Sequence, residues 1–247
     1  MIPHSLKTRL RAADPDQSDA FKHLYEDPTL LRSDTETDAL WRMADKIYVQ
    51  ARSCYNNHRD ESEWVAVVKN VLESVERAEE NPMLCIQSIQ TQSIDPTVLP
   101  FHASMSLAKK ADLALSFSIE HPTVLESVEP IYTANPSINL SQMTDAYTST
   151  VPLVCGLEVK ERGGDYNEAI TQLAIWSAAG LERLRELRER VRTPEDQEDL
   201  PPFLGWTVIG HDWKLHISWK NAQGEVVSPL HDPDVYYSAL AEPCGRS

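Results

Sequence analysis

Near the polar end of the run VPLVCGLEVK stand Glu158 and Lys160, two residues apart. Residues two apart on a strand project to the same side, so a carboxylate and an ammonium placed there address one reaction centre. The carboxylate can hold a hard divalent cation. The ammonium can orient a water or help to deprotonate it. Earlier in the chain, Asp112 ends the polar stretch KKAD at the head of another alternating run. Neighbouring strands lie about 4.8 Å apart, so carboxylates from two of them can share one cation. Magnesium suits such a pair because it prefers oxygen ligands and keeps several waters. Held there, it would polarise a phosphoryl oxygen, activate a water and neutralise a leaving oxyanion. Taken alone, Glu-x-Lys is also what any amphipathic strand end produces, a surface ion pair; the other residues must give it meaning.

The elements that would position these groups are readable from periodicity. In KKADLALSFSI, Ala111, Leu113, Leu115 and Phe117 alternate with Asp112, Ala114 and Ser116, the period of a strand. In VPLVCGLEVK, Leu153, Cys155, Leu157 and Val159 point one way, and Val154, Gly156, Glu158 and Lys160 the other. Its upper part is apolar on both faces, as in a central strand covered on both sides. Gly163 and Gly164 end it. Asp165 with Glu168 forms a capping box for a long helix striped by Ala169, Leu173, Trp176, Gly180, Leu184, Leu187 and Val191. The far end of that helix, LERLRELRERVR, carries alternating charge. Upstream, Leu40, Ala44, Ile47 and Ala51 fit a helix from Asp34 to Tyr55. A second helix carries Trp64, Val67, Val68, Val71, Leu72 and Val75 behind an Asp60/Glu63 capping box. Leu84 to Gln92 reads as a strand, followed by a Pro- and Ser-rich loop to about Ser106. The segment from His121 to Thr150, with three prolines, reads as a short helix and a long loop. FLGWTVIG and WKLHISW give two more strands joined around His211 and Asp212. NAQGE turns into a last short strand, and DPDVYYSALA fits a closing helix. Met1 to about Ser33 forms a polar arm, leaving residues 34–247 as one domain. The expectation is an α/β fold with a mixed central sheet flanked by helices.

An Asp on one strand, Glu-x-Lys on the next, and a helix carrying Gln in a Q-x-x-x-W run together resemble the PD-(D/E)XK nuclease superfamily. Here the pattern reads Ala111-Asp112, Glu158-Val159-Lys160 and Gln172 to Trp176. The wider run LEVKERGGDYNEAITQLAIWSAAGLERL, followed by FLGWTVIGHDW, resembles a nuclease-like family described mainly from fungal genomes. The resemblance spans roughly Glu63 to Trp219. It implies a restriction-endonuclease-like αβββαβ core with an N-terminal helical extension. It further implies Asp112, Glu158 and the backbone carbonyl of Val159 as ligands of magnesium or manganese. Lys160 would position the attacking water, Glu63 would be an auxiliary acid, and Gln172 would touch the metal shell or substrate. Ala111 stands where the pattern's name has proline, and the long spacer between Asp112 and Glu158 requires an insertion.

Other residues have plainer readings. Glu63 equally well caps its helix, Gln172 bonds a loop, and Trp176 belongs to the core. His211 and Asp212 are turn residues. Lys109 and Lys110 begin a solvated strand, and the arginines from Arg183 to Arg192 are matched by nearby glutamates. The net charge of −15 opposes tight non-specific nucleic-acid binding, which needs a basic surface, although a small basic groove would suffice locally. It also disfavours an anionic membrane surface. The four scattered cysteines lack zinc-site spacing and suit a reducing compartment. No signal-like or membrane-spanning run is present, so an intracellular protein, cytoplasmic or nuclear, is expected. Two functions compete, ahead of a third, a non-catalytic interaction module, which the intact Asp, Glu and Lys make less attractive. One is a divalent-metal-dependent phosphodiester hydrolase, with nucleic acid as its substrate despite the charge. The other is the same fold turned to small-molecule biosynthetic chemistry, a cyclase or isomerase, which the acidic balance favours.

Overall fold

The computed structural model describes residues 4–13, 33–76, 82–99, 111–191, 200–221 and 226–227. Internal contacts divide the chain into two compact units, residues 1–53 and 54–247. In the first, the polar lead-in holds a 3-10 turn, His4–Leu6, and a short helix α1, Lys7–Ala13. Helix α2, Asp34–Asn56, starts at a reciprocal capping box. Ser33 Oγ accepts from the Glu36 amide at 3.2 Å, and the Ser33 amide donates back to Glu36 Oε2 at 2.9 Å. The Ser5 and Thr37 hydroxyls lie 3.0 Å apart, and Arg9 pairs with Asp38.

The larger unit is built on a six-stranded sheet in sequential order: β1 Leu84–Ser88, β2 Leu113–Phe117, β3 Leu153–Lys160, β4 Phe203–Ile209, β5 Asp212–Lys220 and β6 Val226–Val227. Every pairing is antiparallel except β3 with β4. A parallel pair needs a crossover, and α5, Tyr166–Val191, supplies it. With α3, Glu61–Glu76, in front, the order α3-β1-β2-β3-α5-β4 is the αβββαβ core expected from the sequence. The sheet is mixed and flanked by helices, as read. The insertion lies between β2 and β3. It contains α4, Pro122–Ala134, with Pro at the first helical turn where no backbone donor is needed, and a small core of Val124, Val128, Ile138 and Leu140. Arg183 pins this insertion to α5. Its Nε donates to the Ser141 carbonyl at 3.1 Å while its other nitrogens reach Asp95 and Glu186.

Why α5 lies where it does follows from two glycines paired across β3 and β4, Gly156 and Gly205. A Cβ at Gly156 would come within 2.5 Å of the Trp176 ring, and one at Gly205 within 2.9 Å of Leu173. The helix therefore sinks onto bare backbone. Trp176 is fully buried against Phe203 at a 5.3 Å ring spacing, the core role expected of it. The opposite side of the central strands, with Leu157, Val159 and Val208, is equally buried, and α3 is the other helix packed along β1 and β3.

Some boundaries differ from the sequence reading. β1 stops at Ser88 because the chain turns at once, the Gln92 amide donating to the Ile89 carbonyl at 3.1 Å. In β5 the apolar row Trp213, Leu215, Ile217 and Trp219 faces out, while His216 and Ser218 are buried on the other side. Cys54, Cys85 and Cys155 are free thiols. No described helix is long and apolar enough to cross a membrane. Lys109, Lys110 and the DPDVYYSALA segment lie outside the described residues.

Replacing Gly156 with Ala forces the Trp176 ring out of its seat. The expected loss is about 1–3 kcal/mol, the range for overpacking a tight core. Denaturant melts of the wild type and G156A check this. An unchanged midpoint would show that α5 adjusts freely over the strand.

Candidate active site

β3 carries two charged side chains into the layer beneath α5. Gly156, Glu158 and Lys160 alternate to that side, and the glycine's contact with Trp176 fixes the phase. Glu158 is 1% exposed and Lys160 7%. A charge so buried is costly unless paired. Lys160 Nζ sits 3.1 Å from Glu158 Oε1, 2.9 Å from Glu61 Oε2 and 3.4 Å from Gln172 Oε1. Three elements thus converge on one ammonium: β3, the first turn of α3, and α5. Gln172 is oriented in turn by Glu168, one helical turn earlier, to whose Oε1 its amide donates at 3.0 Å. The start of α5 is set by Asp165, whose Oδ1 accepts from the Asn167 and Glu168 amides at 2.8 and 3.1 Å.

Asp112 stands just before the first residue of β2 and is tied to β3 twice. Its amide donates to the Leu157 carbonyl at 3.0 Å, and its Oδ2 accepts from the Val159 amide at 2.8 Å. Its Oδ1 accepts from Gln90 Nε2 at 3.1 Å. The carboxylate is thereby held against the same three residues, 157–159, that include Glu158. Burial raises its pKa above the ordinary carboxylate range, against the pull of the Val159 amide and Gln90. The Glu158 carboxyl is pushed further. Burial first, then repulsion from Asp112, raise it to about 8 despite Lys160. For Lys160, burial works against the charged form, but bonding to Glu61 and attraction to Glu158 outweigh it, and its pKa stands above that of free lysine. Lys160 is an ammonium at neutral pH.

The structure brings Asp112, Glu158, Lys160 and Gln172 together. It does not bring Glu63. That residue sits on the far side of the α3 start, 3.6 Å from Arg59, and its amide is capped by Asp60 Oδ1 at 3.2 Å. Glu61 takes the place at Lys160 instead. Helical spacing carries the signal: Glu61 lies three residues before buried Trp64 and four before buried Val65, on the inward face. Gln90, which bonds Asp112, carries no comparable signal, because nothing in its sequence neighbourhood marks it as facing that residue. His211 packs on Tyr55 and Trp64 at the turn after β4, as a connection residue.

Glu158 Oε2 is buried and has no hydrogen-bond partner among the described residues. Native interiors rarely leave such an oxygen unmatched. No group of three or more His, Cys, Asp or Glu side chains among the described residues is placed to hold a metal ion. The donors present are two carboxylates and backbone, all oxygen, and the orphaned Oε2 is one of them. That chemistry fits a magnesium-like ion that retains waters and does not fit zinc. The family model of the PD-(D/E)XK nuclease superfamily matches residues 6–233. The chain belongs to the PD-(D/E)XK nuclease superfamily. Comparisons with curated proteins and with solved structures gave no match. Superfamily membership suggests metal-dependent nuclease-like activity, and its members generally use divalent metals.

The raised pKa of Glu158 makes stability depend on pH in a defined direction. The folded state holds this proton more tightly than the unfolded chain, so the stability that Glu158 contributes is fully present below about 4.5 and is lost as pH rises through about 8. Glu158→Gln removes this dependence. In chelator, E158Q should match wild type near pH 5 and exceed it at pH 9 by about 1 kcal/mol or more, roughly 2–4 °C in Tm. Thermal melts across that range measure it; a constant offset at all pH values would refute the buried-charge assignment.

Proposed function

We propose that the protein is a divalent-metal-dependent phosphodiester hydrolase of the nuclease class. The observation that carries this reading is the unpartnered, buried Oε2 of Glu158, beside Asp112 on one side and the Lys160 ammonium on the other. Asp112, Glu158 and the Val159 carbonyl are the proposed ligands of magnesium or manganese. A cation bound there supplies Lewis-acid polarisation of the phosphoryl oxygen and neutralises charge on the leaving oxygen.

The chain's own groups do the rest. Lys160, kept charged by Glu61 and Glu158, is a hydrogen-bond donor that orients the attacking water; it is poorly suited to accept a proton. Glu158, Glu61 and Gln172 take the three donors of Lys160, and the contact to Gln172, the longest at 3.4 Å, is the one that an attacking water replaces. Glu61 anchors the same ammonium from α3, the auxiliary place that the sequence pattern gave to Glu63. The layers on both sides of β3 exclude bulk water from Glu158, which strengthens each of these interactions. Membership of the PD-(D/E)XK superfamily supports these roles for Asp112, Glu158, Lys160 and Gln172, the positions that its pattern matches. The net charge of −15 favours the rival, a fold repurposed for small-molecule biosynthesis. In that case the carboxylates and Lys160 would be structural and activity would depend on apolar pocket residues.

Nicking of plasmid and single-stranded substrates in magnesium or manganese tests the proposal. Glu158→Gln and Asp112→Asn should abolish turnover, because each removes a charge that holds the cation. Lys160→Ala should lower turnover by about a hundredfold or more while sparing metal binding, the order expected for removing one positioned catalytic group. No metal-dependent cleavage by wild type under any of these conditions would turn preference to the repurposed fold.

A further inference from the structure

Most cations of the larger unit spend their charge on carboxylates. Arg59 pairs with Glu63, Lys69 with Glu73, Arg183 with Asp95 and Glu186, Arg185 with Glu182 and Glu189, and Lys220 with Glu182. Arg162 and Lys214 differ. Each is exposed, each lies on an aromatic ring, and neither has a carboxylate partner among the described residues. The Arg162 guanidinium carbon is 3.8 Å from the centre of the Tyr55 ring. Tyr55 rests on His211 at 5.3 Å, and His211 on Trp64 at 5.1 Å, so the stack is footed on a core residue. Lys214 Nζ is 4.1 Å from the centre of the Tyr166 ring, the first residue of α5. An aromatic face holds a cation in place without cancelling its charge, whereas a carboxylate cancels it.

Both positions flank the candidate site. Arg162 follows Lys160 by two residues, and the Lys160 carbonyl between them accepts from Gly210 at the β4–β5 turn at 3.0 Å. Lys214 is paired with Thr207 on β4, and Thr207 with Glu158 on β3. Directly paired residues share a sheet face, so Lys214 stands on the Glu158 side, two strand spacings or about 10 Å away. We propose that Arg162 and Lys214 are the phosphate contacts of a nucleic-acid strand bound at the surface beside the buried Glu158 and Lys160. This inference rests on the phosphodiesterase reading above and names its substrate class. It also meets the objection of net charge. Two cations held by rings rather than by carboxylates are free to meet phosphates, and binding depends on such local groups more than on the net charge.

The test is fluorescence anisotropy of a labelled oligonucleotide, single-stranded and duplex, titrated with the full chain in calcium at several salt concentrations. Two phosphate contacts predict a log–log salt slope of about −1.4 on single strand and about −1.8 on duplex. Arg162→Gln and Lys214→Gln should each weaken binding at least about fivefold and shrink the slope by about 0.7 on single strand. Arg162→Lys should keep the slope. Arg190→Gln, the same charge change at the far end of α5, should change neither. Absence of oligonucleotide binding by wild type overturns the proposal, as does an equal loss in R190Q or no loss in R162Q and K214Q. Melting curves of each variant establish that the fold is retained. Hydrolysis of bis(p-nitrophenyl) phosphate, run in parallel on wild type and E158Q, separates the two readings. Glu158-dependent hydrolysis without oligonucleotide binding sinks the strand contacts alone. Arg162- and Lys214-dependent binding without any hydrolysis sinks the phosphodiesterase alone.

Discussion

Glu158 cannot leave the interior. The alternation of β3 sends it to the same side as Gly156, and that side is fixed because only a residue without a Cβ fits under the Trp176 ring. A carboxylate locked in this way draws its surroundings into order. Lys160, two residues on, bonds one of its oxygens. Glu61 and Gln172, brought by two different helices, bond the lysine in turn. Glu61 also sits in the first turn of its helix, where the exposed amides favour an acidic side chain. The balance of charge remains unequal. Asp112, Glu158 and Glu61 act on one another across a single ammonium. Once Glu158 is ionised, three carboxylates face one lysine, an excess that a divalent cation would match, and Oε2 of Glu158 is the oxygen left open for it.

Much of this was legible because it depends on local alternation. β3 was readable to within two residues from its apolar faces and its glycine stop, and α5 from its stripe and its Asp165 cap. The strand period places Glu158 and Lys160 on one face, whereas Asp112 and Gln172 joined them through the resemblance to the superfamily pattern. What escaped depended on how elements meet. The superfamily pattern implies an acid at the start of this helix and points to Glu63, but a position in the first turn says nothing of which side chain faces inward. The buried arc of Trp64, Val65, Val67 and Val68 contains Glu61 and leaves Glu63 outside it. Gln90 reaches Asp112 only because the chain turns directly after β1, a turn with no Gly or Pro to announce it. In β5, a reading by hydrophobicity would bury the tryptophans. Instead His216 goes inside, where its Nε2 and the Thr207 hydroxyl lie 2.9 Å apart, because α5 covers that side.

Net charge and local charge have different owners in this chain. The acidic excess is a property of the whole, yet the described basic groups of the larger unit are mostly held within their own ion pairs. The pairs along α5 join residues three and four apart and stiffen the partly buried far half of the helix without creating a basic face. A count of lysines and arginines therefore misjudges the field near Glu158 in both directions. It credits arginines whose charge is already cancelled, and it overlooks that Arg162 and Lys214 are fixed by rings.

The packing of α5 and the chemistry of the site are one geometric problem. Gln172 precedes Trp176 by four residues, so the two project from the same side of the helix, one turn apart. Trp176 reaches the backbone of Gly156, and Gln172 reaches Lys160, four residues further along β3. The depth to which the tryptophan sinks sets the distance from the amide to the ammonium. A helix raised by even a methyl group at Gly156 would lengthen a bond that already stands at 3.4 Å, the outer edge of a useful hydrogen bond. Lys160 would then keep its two carboxylates and lose the neutral partner that orients its third donor. The glycine in the middle of the strand thus belongs to the site as much as to the core.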